Sequence, residues 1–115
     1  MARIVAFIPD LLFGSNVLGA LNAAGYETTL VSDGDALQRE LAGAAALIVD
    51  LTADAAARIE QVSAIPRNGV KTLAFYSHVE QDVRDRAERA GFDLVIPRSR
   101  MAREGGAVLA RLLET

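Results

Sequence analysis

The sequence predicts an α/β protein: a parallel sheet of five strands covered by helices on both faces, a single doubly wound (βα)5 domain over residues 1–115. Three observations carry this prediction. Short unbroken apolar runs rich in valine and isoleucine recur five times, segments with helical spacing separate them, and polar residues fall directly after the runs end. Unbroken runs, as opposed to alternating ones, mark strands buried on both faces. Right-handed crossovers between such strands leave the doubly wound sheet as the natural architecture.

The first strand is expected at residues 4–8. A helix follows at about 16–24, where Val17, Leu18 and Leu21 share a face, Ser15 or Asn16 caps the start and Gly25 ends it. The second strand covers 28–31, and the turn "SDG" leads into a helix from 35 to 43. After a third strand at 46–49, a helix begins near Asp54, whose carboxylate is placed to cap it, and carries Ile59 and Val62 inward. The fourth strand, 72–76, precedes "VEQDVRDRAERAG", which repeats Val79, Val83 and Ala87 every fourth residue, keeps its charges on the other face and closes at Gly91. The fifth strand lies at 94–96, and the last helix holds Val108, Leu109, Leu112 and Leu113. Each glycine of "EGG" at 104–106 costs about 1 kcal/mol inside a helix, which favours a start after it.

Composition narrows the function classes. At 115 residues the chain buries about two-thirds of the surface that its unfolded form exposes, so it needs no disulfide or metal to fold. It has no cysteine, which excludes a disulfide framework, a thiolate metal site and a cysteine nucleophile, and suits a reducing cytoplasm. A net charge of −3 offers no broad basic surface for a phosphate backbone, so no nucleic-acid partner is expected. No apolar run approaches the roughly 20 residues of a membrane span, and the N-terminus lacks the pattern of a secretion signal; a cytoplasmic protein with no membrane partner is expected.

In doubly wound sheets ligands sit beyond the carboxyl ends of the strands. Asp10, Asp50, Ser77, His78 and Arg98 all fall just after their strands and would converge there. The residues around them follow a recognisable order. "AAGYETTLVSDGDAL" at 23–37, "LIVD" ending at Asp50, "FYS" ending at Ser77 and "RAERAG" at 86–91 together resemble the receiver domains of bacterial two-component response regulators, over nearly the whole chain. The resemblance implies a flavodoxin-like sheet in the order 2-1-3-4-5. It also implies that Asp50 is the position that accepts a phosphoryl group from a histidine kinase, that Ser77 contacts the phosphoryl oxygens, and that two acids after the first strand help to hold magnesium.

Several positions depart from that pattern. The acid pair falls on Ile8 and Pro9 of "AFIPDLL", leaving Asp10 as the nearby carboxylate, so a magnesium ion would depend on Asp10 and Asp50. Arg98 stands where the family has a lysine, a planar fork in place of a compact ammonium. Val95 replaces the aromatic of the fifth strand, and "DLTADAA" lacks the residues that usually follow the phosphoacceptor. Losing one preorganised electrostatic contact costs about 3–4 kcal/mol of transition-state stabilisation, so an atypical receiver with a degenerate site, acting by protein contact and not as an enzyme, is the first reading. The chain stops after "RLLET", so output is expected through another protein, a kinase or an effector, or through a homodimer across the fourth and fifth helices, as the resemblance implies.

Two further readings stand beside it. The first makes Asp50 a true phosphoacceptor in a phosphorelay, with Asp10 as the metal acid and Arg98 as the cation. The second makes the Arg98, Arg100 and Arg103 cluster an anion or nucleotide pocket, although "FGSNVLG" has no phosphate-loop spacing; the structural reading pairs Arg98 with Asp50 or Asp10. His78 is read as a helix cap or surface residue, since zinc needs three or four protein ligands.

Overall fold

The computed structural model describes residues 2–77 and 80–115. Strands and helices alternate along the chain: β1 (Arg3–Phe7), α1 (Leu11–Ala23), β2 (Glu27–Val31), α2 (Gly34–Glu40), β3 (Ala46–Asp50), α3 (Ala55–Ser63), β4 (Lys71–Tyr76), α4 (Gln81–Arg89), β5 (Leu94–Pro97) and α5 (Arg98–Leu113). All strand pairs are parallel and the order is β2-β1-β3-β4-β5, as expected.

Successive side chains of a strand point to opposite faces, so each apolar run feeds two cores. Val5, Phe7, Leu47 and Val49 pack against Leu37, Val62, Val83 and Ala87 of α2, α3 and α4. Ile4, Ala6, Ile48 and Phe75 pack against Val17, Leu21, Met101, Val108 and Leu109 of α1 and α5. Every residue of β3 is buried, which is why that run has no polar alternation before Asp50. A fully buried leucine or isoleucine contributes about 1.5–3 kcal/mol, and the two-sided sheet collects that term on both faces.

Arginines close the amino edge. Arg3 donates to the carbonyls of Glu40 and Ala42 behind α2. Arg67 donates to those of Ala90 and Gly91 at the end of α4 and lies 5.6 Å from the Phe92 ring centroid. Beside it, the backbone N–H and hydroxyl of Thr72 donate to Asp93 Oδ2 at 2.8 and 3.1 Å, and the N–H of Asp93 returns a bond to Thr72 Oγ1 at 3.0 Å.

The helix starts need correction. α1 begins at Leu11 and not near residue 16, because the carboxylate of Asp10 accepts the N–H of Phe13 at 3.1 Å and caps the helix; Ser15 and Asn16 lie inside it. α2 begins at Gly34, capped by Asp33. Asp54 makes no side-chain cap on α3: its backbone is left-handed, φ 53° and ψ 39°, which replaces the extended conformation a capping residue uses. α5 starts at Arg98 and is interrupted at Glu104, φ −131° and ψ 15°, so it is two helical segments joined by a kink at the start of "EGG": a first segment precedes the glycines, and the second begins at them. A Cβ at Gly105 would lie 2.8 Å from Met101 Cε, so the glycine lets the second segment close over Met101. Val79 of the fourth helical repeat lies outside the described residues.

Candidate functional site

Asp50 ends β3 beside Phe75 of β4 and is only 4% exposed. A carboxylate so buried needs hydrogen bonds to offset lost hydration. Thr52 supplies two, its backbone N–H and its hydroxyl donating to Asp50 Oδ1 at 2.8 and 2.6 Å, the side-chain turn that aspartate makes with the residue two positions on. The backbone is held as well. Arg58, reaching back from α3, donates to the carbonyls of Asp50 at 2.9 Å and Ala53 at 3.4 Å while its guanidinium sits 5.1 Å from the Phe7 ring centroid. Arg58 Nε is buried without a partner in this arrangement.

Across the edge, Asp10 uses one oxygen for the α1 cap and turns the other toward Arg98, 3.9 Å away. Arg98 opens α5, and its guanidinium lies 4.2 Å from the centroid of Phe13, which in turn tilts against Phe75 at 5.2 Å. The cation is therefore held by a ring face and a distant carboxylate, the ion pair contributing about 0–1 kcal/mol at this exposure and the ring about as much. Arg98, Ser99, Ser77, Glu80, Phe13 and Thr52 line an open cleft of about 550 Å³.

These positions bear on the residues singled out in the sequence. Asp10, Asp50, Ser77 and Arg98 all lie at the carboxyl edge, and His78 is outside the described residues. Arg98 pairs with Asp10 and not with Asp50. The arginines do not form one pocket: Arg100 and Arg103 both turn to Glu104, at 3.7 and 3.8 Å, and Arg100 lines a groove on the β5 side with Asp93 and Arg111. Consecutive turns of α5 point their side chains in different directions, so spacing in sequence did not become convergence.

Magnesium demands a near-octahedral shell of oxygens. The two positions that the resemblance assigns to acids hold Ile8, 2% exposed in the core, and Pro9. Asp10 is engaged by the α1 cap and Arg98, Asp50 by Thr52, and the described residues contain no group of three or more acids or histidines placed to hold a metal. This donor set does not fit a magnesium ion.

Thr52, Arg58 and Phe13 belong to the site although the sequence did not single them out. The spacing of Thr52 two residues after Asp50 is a usable signal for a side-chain turn. Arg58 sits on a helix read for its apolar face, eight residues from the strand end, and no local pattern links the two.

No protein-family model and no curated protein sequence matches the chain. Solved structures do. A response regulator from Thermotoga maritima superposes with a TM-score of 0.81 at 13% identity, covering 100% of this chain and 99% of that one. The receiver domain of a sensor histidine kinase from Pseudomonas aeruginosa, solved with magnesium coordinated in its active-site cleft, gives 0.80 at 21% identity, covering 99% and 98%. A protein named for pilus assembly, from Burkholderia thailandensis, gives 0.82 at 18% identity and covers both chains fully. At these identities the likeness is one of fold: this chain has the receiver fold.

Proposed function

We propose that this receiver-fold chain is a signalling domain with a degenerate phosphorylation site, which works in the cytoplasm by binding another protein and not by catalysis. The observation that carries the proposal is the state of Asp50 and its surroundings: the carboxylate is buried and bonded to Thr52, and Ile8 and Pro9 occupy the places from which acids would bring a cation. A carboxylate attacking a phosphoryl group needs cations gathered around the charge that develops. Here Arg98 is the cation on the cleft wall, and it is turned toward Asp10 and Phe13. The pilus-assembly neighbour extends the range of proteins that carry this fold beyond response regulators, which is consistent with a contact role.

The test is exposure to a small phosphodonor. Incubated with acetyl phosphate and magnesium, the protein is expected to keep its mass, whereas a mass increase of one phosphoryl group that disappears in Asp50→Asn would overturn the proposal.

A second reading is supported by one arrangement. Ser77 and Arg98 line the same cleft at the edge where Asp50 ends β3, the side-chain types a phosphoacceptor site would present. On that reading Asp50 becomes phosphorylated once Thr52 releases it, and Thr52→Ala would speed the reaction. The partner on either reading is a protein, a kinase or an effector. A second copy packed across α4 and α5 is a finer version, which sedimentation at increasing concentration checks.

A further inference from the structure

Three helices of this fold begin directly after an aspartate, and two of them use it as a cap. Asp10 has extended backbone, φ −68° and ψ 109°, and its carboxylate accepts the N–H of Phe13; Asp33, φ −144° and ψ 168°, accepts that of Ala36 at 2.8 Å. Asp54 stands in the same place before α3, yet its backbone is left-handed, φ 53° and ψ 39°, and its carboxylate caps nothing. Among the described residues Asn68 is the other non-glycine of positive φ, and a tight turn accounts for it, with the N–H of Val70 on the carbonyl of Arg67 at 2.9 Å. A residue with a side chain stays in the left-handed region where its surroundings impose it, and such residues gather at switch segments.

What imposes it on Asp54 lies on both sides of the loop. Leu51 is fixed, 1% exposed and donating its N–H to the carbonyl of Phe75 at 2.8 Å. Thr52 then turns back to the Asp50 carboxylate, and Arg58 ties the carbonyl of Ala53 to that of Asp50. Closing the loop in this way leaves Arg58 Nε buried with no partner among the described residues. The start of α3 gives little anchorage in return: Val62, near its end, is its buried side chain, and Ala56 and Ala57 are exposed. Segments with few buried apolar contacts are the ones that open locally. Hydrogen bonds to Asp50 thus favour the closed loop, while the left-handed backbone, the unused cap and the unpaired nitrogen oppose it. Opposing terms within one short segment bring two arrangements close in free energy.

We propose that residues 52–54 form a two-state latch over Asp50. The described state is the closed one. In the open state Asp54 turns to extended backbone and caps α3 through the N–H of Ala57, the third residue on, as in α1 and α2; Thr52 leaves the Asp50 carboxylate and Ala53 leaves Arg58. Asp50, 4% exposed under the closed latch, then opens to the cleft that Thr52 lines, so opening is the step by which a partner group reaches it. The latch concerns access to Asp50 and operates whether or not that residue accepts phosphate.

Two measurements on the labelled full chain test it. Amide nitrogen relaxation dispersion reads exchange on the microsecond to millisecond scale. The rate at which carbodiimide couples glycine ethyl ester to the Asp50 carboxyl, followed by site-resolved mass spectrometry, reads access. The wild type is expected to show dispersion within 52–58 and slow coupling at Asp50. Asp54→Gly accepts the left-handed backbone freely and has no carboxylate for the cap, so it is expected to slow the coupling about fivefold and to flatten the dispersion. Thr52→Val keeps the size of the side chain and loses the hydroxyl bond, so it is expected to speed the coupling about tenfold. Both variants are expected to keep the fold by circular dichroism, and opposite effects two positions apart separate a latch from general loosening. Faster or unchanged coupling in Asp54→Gly, unchanged coupling in Thr52→Val, no dispersion within 52–58, or a coupling rate that follows global unfolding in urea would overturn the proposal. Phosphate at Asp50 is tested separately, by beryllofluoride, so failure of the latch and failure of the contact reading are told apart.

Discussion

Asp50 is held from both its side chain and its carbonyl by groups that need no ligand, Thr52 on one side and Arg58 on the other. The hydroxyl bond is the one that mutation removes cleanly. Thr52→Ala leaves the backbone bond but takes from a buried carboxylate one of the two hydrogen bonds it accepts among the described residues, and a hydrogen bond to a charged group contributes about 1.5–3 kcal/mol, so urea denaturation should register a loss of about 2 kcal/mol. Asp10→Ala tests a different job: it removes the α1 cap and should cost about 1 kcal/mol, with little added from the 3.9 Å contact to Arg98. If Asp10→Ala left stability unchanged, the cap would not be contributing. The strand-end positions of Asp50, Ser77 and Arg98 were legible because a buried apolar run ends at one place. The groups that tie them down were not, since they depend on how α1, α3 and α5 bring side chains back to the edge.

Among elements, α1 separates what local pattern can and cannot say. Of its expected stripe Val17 and Leu21 are buried and Leu18 is half-buried, yet its start was expected near residue 16 with Ser15 or Asn16 as the cap; Leu11 and Leu12 lie off that stripe and face outward. Helical glycines on the two sides of α1 give a matched test. A Cβ at Gly19 meets nothing within 4 Å, so Gly19→Ala should gain about 1 kcal/mol in helix propensity, a rise of roughly 4 °C in Tm. A Cβ at Gly14 would press at 3.4 Å on the carbonyl of Ile8 and both Leu30 methyls, so Gly14→Ala should gain less or lose stability. Equal gains at both would mean that α1 stands further from β2 than described. The kink of α5 was half legible: the cost of "EGG" was visible, but whether the chain would start a helix there or bend one depended on Met101 packing beneath Gly105.

At the scale of the molecule, the fold was almost wholly legible, because five runs buried on both sides admit few arrangements once crossovers are right-handed. The amino edge was not. Arg67 joins the α3–β4 connection to the end of α4, and Arg67→Ala, which strips the carbonyls of Ala90 and Gly91 and uncovers Phe92, should cost about 1–2 kcal/mol in thermal or urea unfolding. The opposite edge carries Asp50, Ser77 and Arg98, and the central claim is that the domain works without phosphate on Asp50. An amide NMR titration with magnesium followed by beryllofluoride, which mimics an aspartyl phosphate, tests it on the wild type and on Asp50→Asn. No change around Asp50, Ser77 and Arg98 at millimolar magnesium is the predicted result; saturable shifts there that vanish in Asp50→Asn would contradict it.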